Sequence, residues 1–263
     1  MKIKCHSQYN HFPIYGTDGD CDIELWNDGK IWIYLDQVLP IIGAPGSALL
    51  IEPRPLQPET YDAVEKYYYK FDTIYTHDTQ LLSLLPNARP IVYWRDYEIN
   101  SELKTKDISF ICGSKDMCLA HRMRMKLAEA LQDEVDVLGD WKGGERVSTH
   151  DAYAPYKFTI VIENYIDDFW FTEKILNAFA NKTIPIYFGA RKISDYFDKF
   201  GIIQVSHIFD IIKAVEDVKT IGIDFSYNAR SLAIKDNFEK VQKYKNFEDW
   251  YIKHYGEVNA DDK

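Results

Sequence analysis

Cysteine is scarce in this chain, and long apolar runs are missing. Four cysteines occur among 263 residues, and none of them forms a Cys-x-x-Cys pair. A chain of this length can bury a core without disulfide bonds, so sparse cysteine indicates a reducing compartment. No window reaches the ~18 apolar residues of a membrane-spanning helix, and the first residues lack the apolar stretch of a secretory signal. We therefore expect a cytoplasmic protein without a membrane span.

Positive charge is also in short supply. Lys and Arg number 31 against 41 Asp and Glu, which gives a net charge of -10. Binders of nucleic acid or anionic membranes need a basic face to displace counterions, so this balance argues against both classes. Hydrophobic residues make up 46% and charged residues 27% of the chain. This usage excludes a disordered protein, and the absence of repeats excludes solenoids and propellers.

Strand-like and helix-like segments alternate along the chain. The predicted strands are 30–35, 47–51, 71–76, 108–112, 135–139, 158–162, 184–189 and 202–205. The predicted helical segments are 58–70, 78–85, 117–132, 194–199 and one that starts near Thr172. Such alternation predicts an α/β fold with parallel, doubly wound sheets, whose ligands bind beyond the carboxyl ends of the strands.

A polar stretch at 96–106 divides the chain. We predict an N-terminal half over residues 1–100 and a C-terminal half over residues 107–225. Residues 226–255 form a predicted amphipathic helical tail that packs across both halves. Two such halves with a cleft between them suit an enzyme with two substrates.

The strongest local signal is a strand, Phe158–Ile162, followed by a loop and a helix that starts at Thr172. Thr is a good N-cap residue, and free N–H groups at a helix start attract phosphate. Lys174 adds a positive charge there, and the Glu173 carboxylate can accept both hydroxyls of a ribose. Alternatively, Glu173 only stabilises the helix start and Lys174 is a solvated surface residue. The residues alone leave both interpretations open.

The wider pattern resembles glycosyltransferase family 10, the α1,3-fucosyltransferases. It runs through Tyr156-Lys157-Phe158, Glu163-Asn164, Thr172-Glu173-Lys174, Asn177-Ala178, Ile184-Pro185-Ile186 and Gly189, in the order and at the spacing of that family's donor motif. The resemblance implies a GT-B type fold with two Rossmann-like halves. The N-terminal half (1–100) would bind the acceptor and the C-terminal half (107–225) would bind the donor. It also implies inverting transfer of fucose from GDP-fucose to a glycan hydroxyl, with an α1,3-type linkage. The expected partners are GDP-fucose and a glycan acceptor, and no cofactor is required.

The resemblance also suggests roles for single residues. Glu173 and Lys174 would hold the ribose and diphosphate of the donor, and Asn164 falls on the asparagine of the motif. Glu163 and Thr172 complete this part of the predicted donor-binding set.

An arginine that opens the preceding helix also grips the diphosphate in this family. Arg122 is the better match to that position and Arg124 is the reserve, because both could be ordinary arginines of a helix surface.

Two residues depart from the family pattern. Trp170 stands where the family has Tyr, and Tyr165 follows Glu-Asn in place of Ser or Thr. Trp keeps a stacking face and an N–H donor but loses the phenol acceptor. Trp170 therefore stays in the predicted donor site, while the identity of the sugar is open. The alternatives are a transferase for another nucleotide sugar and a non-catalytic module that binds a nucleotide sugar.

Glu52 is the candidate general base. The segment Leu49–Pro53 is similar to the strand of bacterial family members that ends in a carboxylate, the proposed base. An acceptor hydroxyl must lose its proton as it attacks the anomeric carbon, and a desolvated glutamate can take it. The rival interpretation is a structural pair of Glu52 with Arg54 or Arg95.

A metal site is not predicted. The loop Asp18–Asp22 could be an Asp-x-Asp site or a calcium loop, but the EF-hand pattern fails at Ile23 and Gly29, so a solvated acidic loop is favoured. Cysteines and histidines near the N-terminus (Cys5, His6, His11 and Cys21) match no usual zinc spacing.

Overall fold

The computed structural model describes residues 4–7, 32–35, 46–91, 103–116 and 119–244, the first two ranges as backbone only. The chain divides into two compact units, Met1–Tyr93 with Asn246–Lys263, and Trp94–Lys245. In the described part of the chain, no helix has the length and apolar character that crossing a membrane requires.

The first unit contains a parallel sheet with the strands in sequential order. Its strands are β1 (Lys4–Ser7), β2 (Trp32–Leu35), β3 (Gly46–Leu49), β4 (Ile74–Thr76) and β5 (Ala88–Pro90). Helix α1 (Pro58–Tyr67) connects β3 to β4, and α2 (Thr79–Leu84) connects β4 to β5. Both helices cover one face of the sheet, where Tyr61, Val64 and Leu81 pack against Ala48, Leu50 and Ile74.

The second unit contains a parallel sheet in the order β10-β9-β8-β6-β7. Its strands are β6 (Lys106–Ile111), β7 (Asp136–Leu138), β8 (Tyr156–Ile162), β9 (Ile184–Phe188) and β10 (Ile203–Gln204). Its helices are α3 (Leu119–Leu131), α4 (Thr149–Tyr153), α5 (Glu173–Ala180), α6 (Asp210–Ile221), α7 (Ile223–Asn228) and α8 (Ser231–Val241). The described strands pair only in parallel, which confirms the predicted α/β architecture.

Two predicted elements differ in the structure. The segment predicted as one helix over 194–199 forms two 3-10 turns, Ile193–Asp195 and Lys199–Gly201. The Asp198 carboxylate accepts the N–H of Phe200 and so starts a new turn where the predicted helix would continue. In the predicted tail, α8 packs against α5 within the second unit. Residues after 244 lie outside the described part, so a tail that spans both halves stays a prediction.

Lys104 fastens the start of the second sheet to two neighbouring connections. Its ammonium donates to the carbonyl oxygens of Tyr153 at 3.2 Å, Ala154 at 2.8 Å and Asn181 at 2.6 Å, and to Thr183 Oγ1 at 2.8 Å. Tyr153 and Ala154 lie at the end of α4, and Asn181 and Thr183 follow α5. The Lys104 side chain therefore holds the ends of two helices next to β6. Three backbone carbonyls depend on it for a charged donor.

Replacing Lys104 by Met is therefore expected to lower the free energy of unfolding by about 2 kcal/mol, the scale of hydrogen bonds to a charged group. Methionine keeps the length and the packing of the stem but removes the donors. Urea unfolding monitored by circular dichroism measures the loss, with the exposed Lys126→Met as a matched control. Equal midpoints for both variants would contradict the structural role.

Candidate functional site

The centre of the candidate site is the buried carboxylate of Glu163, directly after β8. Its Oε1 accepts the backbone N–H of Thr172 at 3.0 Å, and its Oε2 accepts the Thr172 hydroxyl at 2.8 Å. Burial raises the pKa of Glu163, because the charged form loses its hydration. This carboxylate thus ties the end of β8 to the start of α5.

The start of α5 is built as the sequence predicts. Thr172 is the N-cap residue, and its hydroxyl oxygen accepts the N–H of Lys174 at 3.4 Å. The Lys174 ammonium lies 3.0 Å from Thr172 Oγ1, 3.1 Å from Glu173 Oε1 and 3.7 Å from Glu163 Oε2. Burial opposes the charge of this ammonium, but the two carboxylates outweigh burial and raise the pKa of Lys174. A fixed cation therefore stands at a helix N-terminus.

Arg124 is the arginine of α3 that joins this site. Its guanidinium donates to the Ile162 carbonyl oxygen at 2.8 Å and to Asn164 Oδ1. The Arg122 side chain is half-exposed and pairs with Asp116 at 3.1 Å. The geometry thus reverses the sequence-based preference for Arg122. The physical reason is helix phase: Arg124 precedes the buried Leu127 by three residues and therefore shares its face.

His121 is a further residue of α3 near the cations of the candidate site. Burial lowers the pKa of His121, and the charges of Arg124, Lys115 and Lys174 lower it further. Three cations from the β6–α3 loop, α3 and α5 thus act on one imidazole. The sequence alone assigns His121 no role. Its position one turn before Arg124 on the helix was the available signal.

Trp170 has little surface for a ligand in this structure. Its side chain is only 2% exposed, and its ring lies edge-on to Tyr165 with centroids 6.2 Å apart. The two departures from the family pattern therefore pack against each other. Direct contact of Trp170 with the donor stays a prediction.

The site lies at the point where the second sheet reverses its strand order. From β6 the chain proceeds outward to β7 and then returns to β8 on the other side of β6. Connections that leave neighbouring strands in opposite directions open a crevice at the carboxyl edge, where α/β proteins bind ligands. Arg124 follows β6, whereas Glu163, Asn164 and Lys174 follow β8. The structure brings these residues together at that crevice.

Glu52, the predicted base, belongs to the first unit and follows β3. Its carbonyl oxygen accepts the Tyr61 hydroxyl at 2.8 Å. The guanidinium of Arg54, one of the two arginines considered as structural partners, lies 2.9 Å from Asp78 and 2.8 Å from Glu65. Arg95 lies outside the described residues.

The described residues contain no group of three or more His, Cys, Asp and Glu side chains that could hold a metal ion. The acidic loop Asp18–Asp22 and the side chains of the zinc candidates near the N-terminus lie outside the described part. Burial raises the pKa of the Cys112 thiol to about 11, so this cysteine is not a reactive nucleophile at neutral pH.

Gly189, which follows β9, makes room for Glu163. A Cβ at this position would lie 2.6 Å from Glu163 Cγ and would overlap the Tyr187 ring. Replacing Gly189 by Ala is expected to cost about 1–3 kcal/mol of stability through overpacking. It should also weaken ligand binding at the crevice, because the Glu163 carboxylate must move. Thermal unfolding and titration with GDP measure the two effects.

Gly113 offers a matched control for this substitution. A Cβ there would lie 3.3 Å from Asp140 Oδ1, which is the end of a side chain that can shift. Gly113→Ala is therefore expected to be milder in both measurements. If the two alanine variants behaved alike, the close approach at Gly189 would not matter for the site.

Comparison with solved structures shows the same fold in glycosyltransferases. A crystal structure of an α1,3-fucosyltransferase with GDP-fucose superposes with a TM-score of 0.55 and 14% identity, covering 82% of this chain and 76% of that one. Staphylococcus aureus TarM gives a TM-score of 0.55 and 12% identity, covering 84% of this chain and 54% of that one. At such identity the likeness shows the fold alone, which is the GT-B type.

Two sequence relatives are proteins of Arabidopsis thaliana. An α-(1,4)-fucosyltransferase of Arabidopsis thaliana is 30% identical over 155 residues, which is 49% of this chain and 38% of the relative. A fucosyltransferase-like protein of Arabidopsis thaliana is 25% identical over 165 residues, which is 60% of this chain and 31% of the relative. The chain thus matches about a third of the length of each.

The model of the C-terminal part of glycosyltransferase family 10 (fucosyltransferase) matches residues 102–253. This span is more than half of the 263 residues and contains the residues that meet at the crevice of the second sheet, but not Glu52. The family resemblance predicted from the donor motif is therefore confirmed. The chain belongs to glycosyltransferase family 10, the fucosyltransferase family.

Proposed function

We propose that this chain transfers fucose from GDP-fucose to a hydroxyl of a glycan acceptor, with inversion and an α1,3-type linkage. The observation that carries the proposal is the pair of cations, Arg124 and Lys174, which meets the N-terminus of α5 at the crevice of the second sheet. A nucleoside diphosphate is an anion whose charge is complementary to this pair. The GDP-fucose bound to a structural neighbour is the natural donor to test.

The donor-binding roles follow from chemistry. The Arg124 guanidinium can grip diphosphate oxygens with two parallel N–H bonds, and Lys174 supplies a point charge. The Glu173 carboxylate is half-exposed and can therefore accept hydrogen bonds from the ribose hydroxyls. Glu163 and Thr172 hold α5 in place beneath them.

The reaction forms one bond and breaks one. The acceptor oxygen attacks the anomeric carbon and loses its proton to the Glu52 carboxylate, while the bond from that carbon to the phosphate oxygen breaks. GDP leaves with the electron pair, and Arg124, Lys174 and the start of α5 stabilise its developing charge. These cations take the role that a metal ion has in other transferases, so we propose that no cofactor is required. The proposed location is cytoplasmic, and a membrane-borne acceptor stays open.

A thermal-shift panel with GDP, UDP, CDP, GDP-fucose and GDP-mannose tests the donor, followed by a donor-hydrolysis assay on each ligand that binds. A ligand at 100 times its dissociation constant adds about 2.7 kcal/mol to stability. We expect selective stabilisation by GDP and GDP-fucose and slow release of GDP. EDTA should leave both results unchanged.

The other outcomes separate the alternatives. Stabilisation by GDP and GDP-mannose but not by GDP-fucose would indicate a different sugar and direct attention to Trp170 and Tyr165. Binding of GDP-fucose without turnover, with or without acceptors, would indicate a non-catalytic module. No response to any guanine nucleotide would overturn the proposal.

A further inference from the structure

The backbone of Glu52 is held by a buried tyrosine. Across the sheet, the Leu50 N–H still bonds to the Tyr75 carbonyl oxygen at 2.9 Å. Two residues later, just before the turn that starts at Pro53, the Glu52 carbonyl oxygen accepts the Tyr61 hydroxyl at 2.8 Å. The Tyr61 side chain comes from α1 and is fully buried. The Tyr61 side chain therefore holds the backbone at Glu52, beyond the last hydrogen bond between the strands.

A buried histidine holds this tyrosine in turn. His77 follows β4, is 1% exposed, and places Nε2 3.1 Å from the Tyr61 hydroxyl oxygen. A carbonyl oxygen can only accept a hydrogen bond, so the Tyr61 hydroxyl donates its single proton to the Glu52 carbonyl oxygen. Its oxygen must then accept from His77, which fixes the proton of the imidazole on Nε2. The order of donation is His77 Nε2–H to Tyr61 O–H to the Glu52 carbonyl.

We infer that Tyr61 and His77 are positioning residues for Glu52, an inference that rests on the proposed role of Glu52 as the base. The chain of bonds joins three elements: the end of β3, helix α1 and the end of β4. It fixes the backbone at residue 52 and hence the direction in which the carboxylate leaves it. Misplacing a reacting group by about 1 Å can cost ~100-fold in rate.

The surroundings allow the hydroxyl to be removed alone. The Arg54 guanidinium lies 4.7 Å above the Tyr61 ring and is fixed by Asp78 and Glu65. Phenylalanine keeps this ring and its packing, so Tyr61→Phe deletes one oxygen. For His77 the side-chain nitrogen of glutamine falls near Nε2, whereas that of asparagine falls near Nδ1. His77→Gln keeps the donor to Tyr61, and His77→Asn removes it.

The experiment measures acceptor-dependent transfer and GDP affinity for the four single variants Tyr61→Phe, His77→Gln, His77→Asn and Glu52→Gln. We expect kcat to fall ~10- to 100-fold in Tyr61→Phe and His77→Asn, with the KM for the donor and the Kd for GDP unchanged. His77→Gln should retain most of the wild-type kcat. An equal loss of kcat in Tyr61→Phe, His77→Asn and His77→Gln would indicate a loss of folding and would contradict the positioning role.

A double-mutant cycle decides whether Tyr61 acts through Glu52. In the Glu52→Gln background, Tyr61→Phe should cause no further loss of the residual rate, because the group that it positions is gone. A full additional loss would overturn the inference. Wild-type kcat in Tyr61→Phe and His77→Asn would overturn it too, and leave the proposed function intact if Glu52→Gln is inactive. An active Glu52→Gln would reject both the base and its positioning residues.

Discussion

Replacing Arg124 by Ala is expected to lower turnover at least ~100-fold, the scale of losing one charge-stabilising group in a transition state. Two contributions add to this loss. The guanidinium no longer meets the leaving diphosphate, and Asn164 loses the donor that orients its amide. GDP affinity should fall as well, because the same contact exists in the ground state. Initial rates of GDP release with saturating acceptor, together with calorimetric titration of GDP, measure both effects.

Arg122→Ala is the matched control, two residues earlier on the same helix. Its guanidinium is half-exposed and pairs with Asp116, and such pairs contribute only about 0–1 kcal/mol. Turnover should therefore stay close to that of the wild type. The opposite result, an inactive Arg122 variant and an active Arg124 variant, would restore the sequence-based preference and reject the proposed role of Arg124. Lys174→Ala is expected to match the loss in Arg124→Ala.

Replacing Glu52 by Gln is expected to lower the rate of transfer by about two to four orders of magnitude while GDP binding is preserved. A general base contributes about 10²- to 10⁴-fold, and glutamine has the same shape but cannot accept the acceptor proton at neutral pH. Transfer to a glycan acceptor is measured beside GDP affinity, because the proposed donor site lies in the other unit. A large loss of transfer with unchanged GDP affinity is the result that would support Glu52 as the base.

Glu59→Gln is the control for this change. Glu59 is exposed on α1 in the same unit, so its substitution alters the net charge equally without touching the proposed base. It should transfer at the wild-type rate. Loss of GDP binding or of the folded state in Glu52→Gln would show that Glu52 is structural, which is the rival interpretation.

Local chemistry made part of the site predictable. Thr172 as an N-cap followed by Lys174 is a signal contained within three residues, and the structure has that cap. The choice between two arginines of α3 needed the phase of the helix against the sheet. That phase is contained in the spacing of Arg124 with the buried Leu127 and Leu131, which recur at one face of a helix. Motif matching alone does not use this spacing.

Other elements escaped prediction for different physical reasons. Helix α6 was not predicted, although its buried Ile211, Val215 and Val218 follow helical spacing up to the Gly222 stop at φ 100°. The short strand β5 carries too few residues for an alternation pattern, whereas β10 lies within the strand predicted over 202–205. The pairing of β5 is decided by the neighbouring strand, which the local sequence does not encode.

The two sheets differ in one respect that bears on how such enzymes diversify. The second sheet reverses its strand order, so its backbone path alone dictates where a crevice opens. The first sheet runs from β1 to β5 without reversal and has no such preset location among its described strands. With the acceptor assigned to the first unit, as proposed, its recognition falls to the connecting loops, which tolerate insertion and replacement. A change of acceptor would then require new loops in the first unit, while the proposed donor crevice, whose place the strand order determines, would remain.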